Sequence, residues 1–155
     1  VAKKKPIVLT NGQLEQLQSG DHIDLSNSTT KNNNTGGTLV IGTAVYVSGG
    51  NATEAQADAQ NTVRVAGLVV DITAPDAGPV EVQADGILIA TTGQWDAVTG
   101  QTGGLTEGAD YFLSEATAGE LTTTAPSVAG DFVLRVGHAL SATELEIEVA
   151  QPIKL

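Results

Sequence analysis

The sequence predicts an all-β protein, a small barrel- or sandwich-like body with an extended N-terminal arm, on three observations. Eighteen glycines in 155 residues fall between short apolar runs, the rhythm of strands joined by tight turns. Aromatic residues are only 3% of the chain while Val, Ile, Leu and Ala are abundant, so the core must be built from many small aliphatic contacts. From residue 38 onward, short strand-like runs recur at the spacing of a barrel or sandwich. The length suits one domain plus an appendage, divided as arm and polar linker over 1–37 and β-domain over 38–155.

The arm opens on Lys3-Lys4-Lys5, then Pro6-Ile7-Val8-Leu9, a short extended apolar patch. Residues 11–18 are expected to form one or two helical turns, with Leu14 and Leu17 on one face and Asn11 or Thr10 as cap. Residues 22–25 alternate as a short strand, and 26–37 are almost entirely Ser, Thr, Asn, Lys and Gly, so they are expected to be a linker or loop. The body begins with strands at 39–41 and 44–47. Residues 53–60 are open between a short helix and an ordered loop, because Ala55, Ala57 and Ala59 alternate and do not recur at helical spacing. Strands follow at 63–71 and 80–83 around a turn rich in Pro, Asp and Gly, then at 86–90, 111–113, 120–122, 132–140 and 144–149. Gly67 and Gly137 fall inside strands, where glycine marks a bulge, a bend or close backbone approach. The runs 64–69 and 135–140 form a weak internal repeat around these glycines, which two kinked barrel corners would explain.

The net charge of −11 is unevenly placed. Five of the seven cations, Lys3, Lys4, Lys5, Lys31 and Lys154, lie toward the termini, leaving Arg64 and Arg135 between. An acidic body repels phosphates, so nucleic acid is not an expected partner. Without cysteine, no disulfide, thiolate metal site or cysteine nucleophile is available. No apolar run reaches the ~20 residues of a bilayer span, so a membrane partner is not expected. The lysine-rich start lacks the apolar centre of a signal peptide, so secretion by that route is not expected either.

Motifs for chemistry are sparse, and neither an enzyme nor a cofactor is expected. Of the two histidines, His138 lies in an apolar strand and His22 in the arm, and no Gly-x-Ser-x-Gly turn supplies a nucleophile. Glu144, Glu146 and Glu148 share one strand face, but neighbours about 6–7 Å apart are too spread for one ion, so no metal site is expected. The glycine-rich run 100–104 is followed by neither Lys nor a helix pattern and reads as a turn. A hydrolase or lyase accessory would need paired carboxylates at a cleft, and no pair stands out. Trp95 is expected to cap the open end of the aliphatic core with its indole N–H on a loop carbonyl, or else to anchor an interface.

One run is more specific. Gly93-Gln94-Trp95-Asp96-Ala97-Val98-Thr99-Gly100 precedes Gly104-Leu105-Thr106-Glu107-Gly108-Ala109-Asp110-Tyr111-Phe112-Leu113-Ser114. Gly119-Glu120-Leu121-Thr122-Thr123-Thr124-Ala125-Pro126, the hairpin from Val136 through Leu145, and Gln151-Pro152-Ile153-Lys154-Leu155 complete it. This order resembles a small β-domain of tailed-bacteriophage virion proteins, both capsid decoration (cement) proteins and head or tail fibres. The resemblance covers residues 62–155 and extends only loosely to the N-terminal third. It implies a β-tulip-like fold with Trp95, Tyr111 and Phe112 as core, turn or interface residues. It also implies a structural protein on the outside of the virion, made in the host cytoplasm. Its partners would be the major capsid protein and itself, as homotrimers at threefold or quasi-threefold sites. Lys3, Lys4, Lys5, Ile7, Leu9, Leu14 and Leu17 are the expected capsid-binding residues of the arm. The alternative is a fibre module that contacts a host surface or carbohydrate.

Overall fold

The computed structural model describes residues 28–155, and before them the backbone of 7–10 and 13–16. In chain order the elements begin with β1 (Ile7–Thr10), β2 (Gln13–Gln16), β3 (Ser28–Asn32), β4 (Leu39–Val40), β5 (Ala44–Ser48) and β6 (Asn51–Glu54). Next come β7 (Gly67–Val69), β8 (Thr73–Ala74), β9 (Pro79–Gln83), β10 (Asp85–Ile89), α1 (Thr92–Thr99) and β11 (Asp110–Leu113). The chain ends with β12 (Leu121–Thr122), β13 (Phe132–Val133), β14 (Arg135–Ala139), β15 (Glu144–Glu148) and β16 (Ile153–Lys154).

Two five-stranded antiparallel sheets form the body, one ordered β3-β9-β7-β5-β6 and the other β10-β15-β14-β11-β12. Neither closes into a barrel, so the all-β domain is sandwich-like. Numbered by their order in the chain, both sheets have the arrangement first, fifth, fourth, second, third. The repeat suspected around Gly67 and Gly137 therefore has a counterpart in topology, since these glycines lie in β7 and β14, the central strands of the two sheets. A Cβ on Gly67 would lie 2.2 Å from the carbonyl oxygen of Gln83, and one on Gly137 would lie 2.3 Å from that of Glu146. In each sheet that carbonyl belongs to the residue paired with the glycine's successor, Leu68 or His138. Both glycines thus serve close backbone approach, and they sit in separate sheets instead of at barrel corners.

The main core lies between the sheets. Ala44 and Leu68 of the first sheet join Leu88, Tyr111, Leu113, Leu121, Val136, Leu145 and Ile147 of the second. Alternation places Val45, Val69, Val80 and Val82 on the opposite face of the first sheet. There they form a second cluster with Leu39 and Ala74 of the β4–β8 ribbon.

Several local expectations are corrected. The turn expected around Trp95 contains α1, started by a capping box in which Thr91 and Gln94 exchange hydrogen bonds and stopped by Gly100 in the left-handed conformation. Residues 53–60, open between a short helix and an ordered loop, take the loop alternative as the end of β6 and turns. In the arm, β2 occupies part of the segment expected to be helical. It pairs with β1 across a two-residue Asn11-Gly12 connection, a strong hairpin signal. The polar stretch expected to be linker contains β3, which pairs with β9 at the sheet edge. That stretch also contains Asn33, which is 1% exposed. Its burial is possible because every polar group is satisfied. Nδ2 donates to Ala74 O at 2.9 Å and Gly37 O at 2.8 Å, while Oδ1 accepts from Thr35 N and Oγ1. The Asn33 backbone N–H donates to Gly78 O, and its carbonyl accepts from Ala77 N. The strand expected at 22–25 lies outside the described residues.

Candidate functional site

The outer face of the second sheet is the most distinctive surface of the body. In β15 Leu145 and Ile147 point into the core, while Glu146 and Glu148 are exposed and Glu144 is half-buried. The three carboxylates therefore line one outward face, as alternation in a strand requires. Register places Asp85, Ile87 and Ile89 of β10 opposite Glu148, Glu146 and Glu144. On the other side of β15, His138 stands opposite Glu146.

One cation offsets part of this charge. Arg135 reaches Glu148 at 2.6 Å and Asp110 at 3.3 Å, and His138 Nδ1 lies 3.2 Å from the same Asp110 oxygen. The hydrogen bond to Glu148 holds the Arg135 guanidinium above its ordinary pKa, against the opposing effect of desolvation. All these groups are partly exposed, so the network orders the face more than it stabilises the fold.

The apolar part of this face was not visible in the sequence. Ile87 and Ile89 are 51% and 64% exposed, although Leu88 between them is buried. They lie on β10, an edge of the sheet. Ile89 also lines a shallow apolar groove with Ile41, Ile72, Ala90 and Thr143. The run 86–90 looks like any buried strand, and only long-range pairing shows that its odd-numbered isoleucines face outward.

The expected aromatic residues take separate places. Trp95 is fully buried, with Nε1 donating to the Thr143 carbonyl at 3.1 Å and its ring packed so near Gly42 that a Cβ there would lie 2.9 Å from it. Tyr111 is also fully buried; its hydroxyl accepts from Thr106 N and donates to Gln101 Oε1. Phe112 is half-buried, opposite Thr122 and Arg135. The glycine-rich turn after α1 wraps the Asp96 carboxylate, which accepts from Gly103 N and Gly104 N at 3.2 and 2.7 Å. Those amides are thus already engaged by the chain's own acid.

In the arm, the β1–β2 register pairs Leu9 with Leu14 and Ile7 with Gln16, bringing three of the expected arm residues onto one short ribbon. Lys3, Lys4, Lys5 and Leu17 lie outside the described residues, as does His22. A cleft of about 610 Å³ between the segments around Val63 and Val149 carries Arg64 among its lining residues. Among the described residues, no three His, Asp or Glu side chains are grouped to hold a metal ion. No helix there is long and apolar enough to cross a membrane. What the outer face offers chemically is a broad set of carboxylates beside exposed isoleucines, suited to a basic and partly apolar surface. No protein-family model matches the chain, and no curated protein matches it.

Proposed function

We propose that this chain is a virion structural protein that binds the outer surface of a phage capsid and stabilises the shell. On this reading it acts without catalysis or a cofactor, as homotrimers at threefold or quasi-threefold sites. The observation that carries the reading is the separation of its chemistry. The rigid β-body presents an acidic outer face, while the cationic cluster and a short β-ribbon with Ile7, Leu9 and Leu14 lie in the arm. The resemblance of residues 62–155 to phage virion domains supplies the identity of the shell. The ribbon would lie on the major capsid protein, and occupation of many weak sites would stabilise the particle by mass action.

Particles lacking the protein test this directly. They are expected to assemble and yet release DNA at lower temperature or under chelation and low salt, where unscreened repulsion raises internal pressure. A chain lacking residues 1–25 should fold and fail to bind shells. Particles that match wild type under every stress but fail to adsorb to cells would overturn the cement reading in favour of a fibre module.

A further inference from the structure

We infer that the β10–β15 face is the docking site for the Lys3–Leu9 segment of a second copy of this chain. The inference rests on the homo-oligomeric part of the reading above and not on its capsid part.

The first support is the contrast between two equivalent edges. β3 and β10 hold the same topological position in their sheets. β3 reads Ser-Thr-Thr-Lys-Asn, a polar edge with Lys31, the type of sequence that discourages further strand pairing. β10 reads Asp-Gly-Ile-Leu-Ile, with Ile87 and Ile89 turned outward. A short, β-favouring edge with two outward isoleucines is an aggregation hazard unless something covers it.

The second support is charge. Beside the isoleucines stand Glu144 and Glu146, and no described cation forms an ion pair with either; Arg135 is engaged by Glu148 and Asp110. The occupant must therefore combine cations with an extended apolar stretch. In this sequence Lys3-Lys4-Lys5-Pro6-Ile7-Val8-Leu9 is the segment with that composition, and it holds three of the seven cations. Proline is tolerated there because an added edge strand need not use every N–H. Reach is sufficient: the chain from Gln16 to Ser28 has a contour length of about 35–40 Å, comparable to the diameter of a body this size. Docking a segment of one copy on a different surface of the next is a heterologous contact, which closes into a ring when the rotation allows. A trimer is one such ring. The lysines and β1 then link subunits, and β2 with Leu14 remains available to a capsid.

The test uses the full chain in solution, without capsids. Equal amounts of ¹⁴N- and ¹⁵N-labelled protein are mixed and treated with a zero-length carbodiimide cross-linker. Mixed-isotope peptides joining Lys3, Lys4 or Lys5 to Glu144 or Glu146 are expected. Charge reversal at K3E/K4E/K5E, or at E144K/E146K, is expected to weaken self-association by about tenfold or more in sedimentation. The chain carrying both sets should regain it. I87D/I89D should weaken it without altering any lysine, with circular dichroism confirming the fold. Cross-links found only within one chain, association unchanged by charge reversal, or a wild-type monomer at all concentrations would each overturn the inference. Shell binding is measured separately, so failure here leaves the capsid reading standing and failure of shell binding leaves this one.

Discussion

Replacing Asn33 offers the sharpest check on how the first sheet is held to its turns. The side chain is buried and makes four hydrogen bonds, two donated by Nδ2 and two accepted by Oδ1. In Asn33→Ala the partners in the 35–37 loop regain water, because those contacts are only part-buried, but the Ala74 carbonyl loses its donor in a fully buried setting. A lost neutral hydrogen bond costs about 1 kcal/mol net, and a buried unsatisfied carbonyl a further 1–3, so about 2–4 kcal/mol is expected. For a chain of this length that lowers Tm by about 6–12 °C. Asn33→Asp keeps the shape and the two accepted bonds but turns an oxygen toward two carbonyl oxygens, so it should cost at least as much at neutral pH. Its folded pKa must then be raised above the ordinary value for Asp. The penalty is present at neutral pH and fades as pH falls through that raised pKa. Urea titration followed by circular dichroism and by the single buried Trp95 reads both halves of the sandwich. If both variants unfold within about 0.5 kcal/mol of wild type, with the Asp variant showing no pH dependence of its own, the hydrogen-bonded lock is not what holds residues 33–37 to 74–78.

Gly67→Ala and Gly137→Ala should each cost about 2–3 kcal/mol in chemical denaturation, because the new methyl would overlap a strand carbonyl that cannot move without breaking its ladder. Glu54 has a pKa raised above 4.5 by burial, so its ionised form opposes folding at neutral pH, and stability is gained as pH falls through the raised value. Thermal melts should therefore show Glu54→Gln more stable than wild type at pH 7, with the difference vanishing once Glu54 is protonated in both folded and unfolded states. Thr91→Ala removes one half of the capping box of α1 and should lower stability by about 1 kcal/mol, read by the same melts.

Much of the body was legible because alternation is a local signal. The strands around Ala44, Val82, Leu88, Tyr111 and Leu145 all follow from apolar residues at every second position or in short runs. The outward carboxylates of β15 followed from the same rule. Where the reading failed, a different signal governed. The segment carrying α1 holds Gly93 and Thr92 and has few apolar residues, so only its ends, Thr91 with Gln94 and the terminal Gly100, mark it as a helix. Leu14 and Leu17 have helical spacing, but the Asn11-Gly12 pair lies between two paired strands instead. β3 is polar because an edge strand can belong to a sheet without contributing a large side chain to the core. Asn33 was beyond reach, since its burial depends on the Ala74 carbonyl, 41 residues away in sequence. The same limit hid the outward turn of Ile87 and Ile89, which depends on pairing with a strand near the C-terminus.

The matching order of the two sheets bears on how the chain acquires its structure in time. Every pairing of the first sheet closes within residues 28–83 and every pairing of the second within 85–148, with Ala84 alone between them. Neither sheet has to wait for a strand from the other, so loop-closure entropy is paid in two moderate steps and the full chain length never has to be closed at once. The shared cluster between the sheets can then join two ladders whose pairings do not depend on one another. Amides of β7 and β14, central in their sheets, should accordingly be the last to exchange with deuterium, with the outer strands opening first in each half.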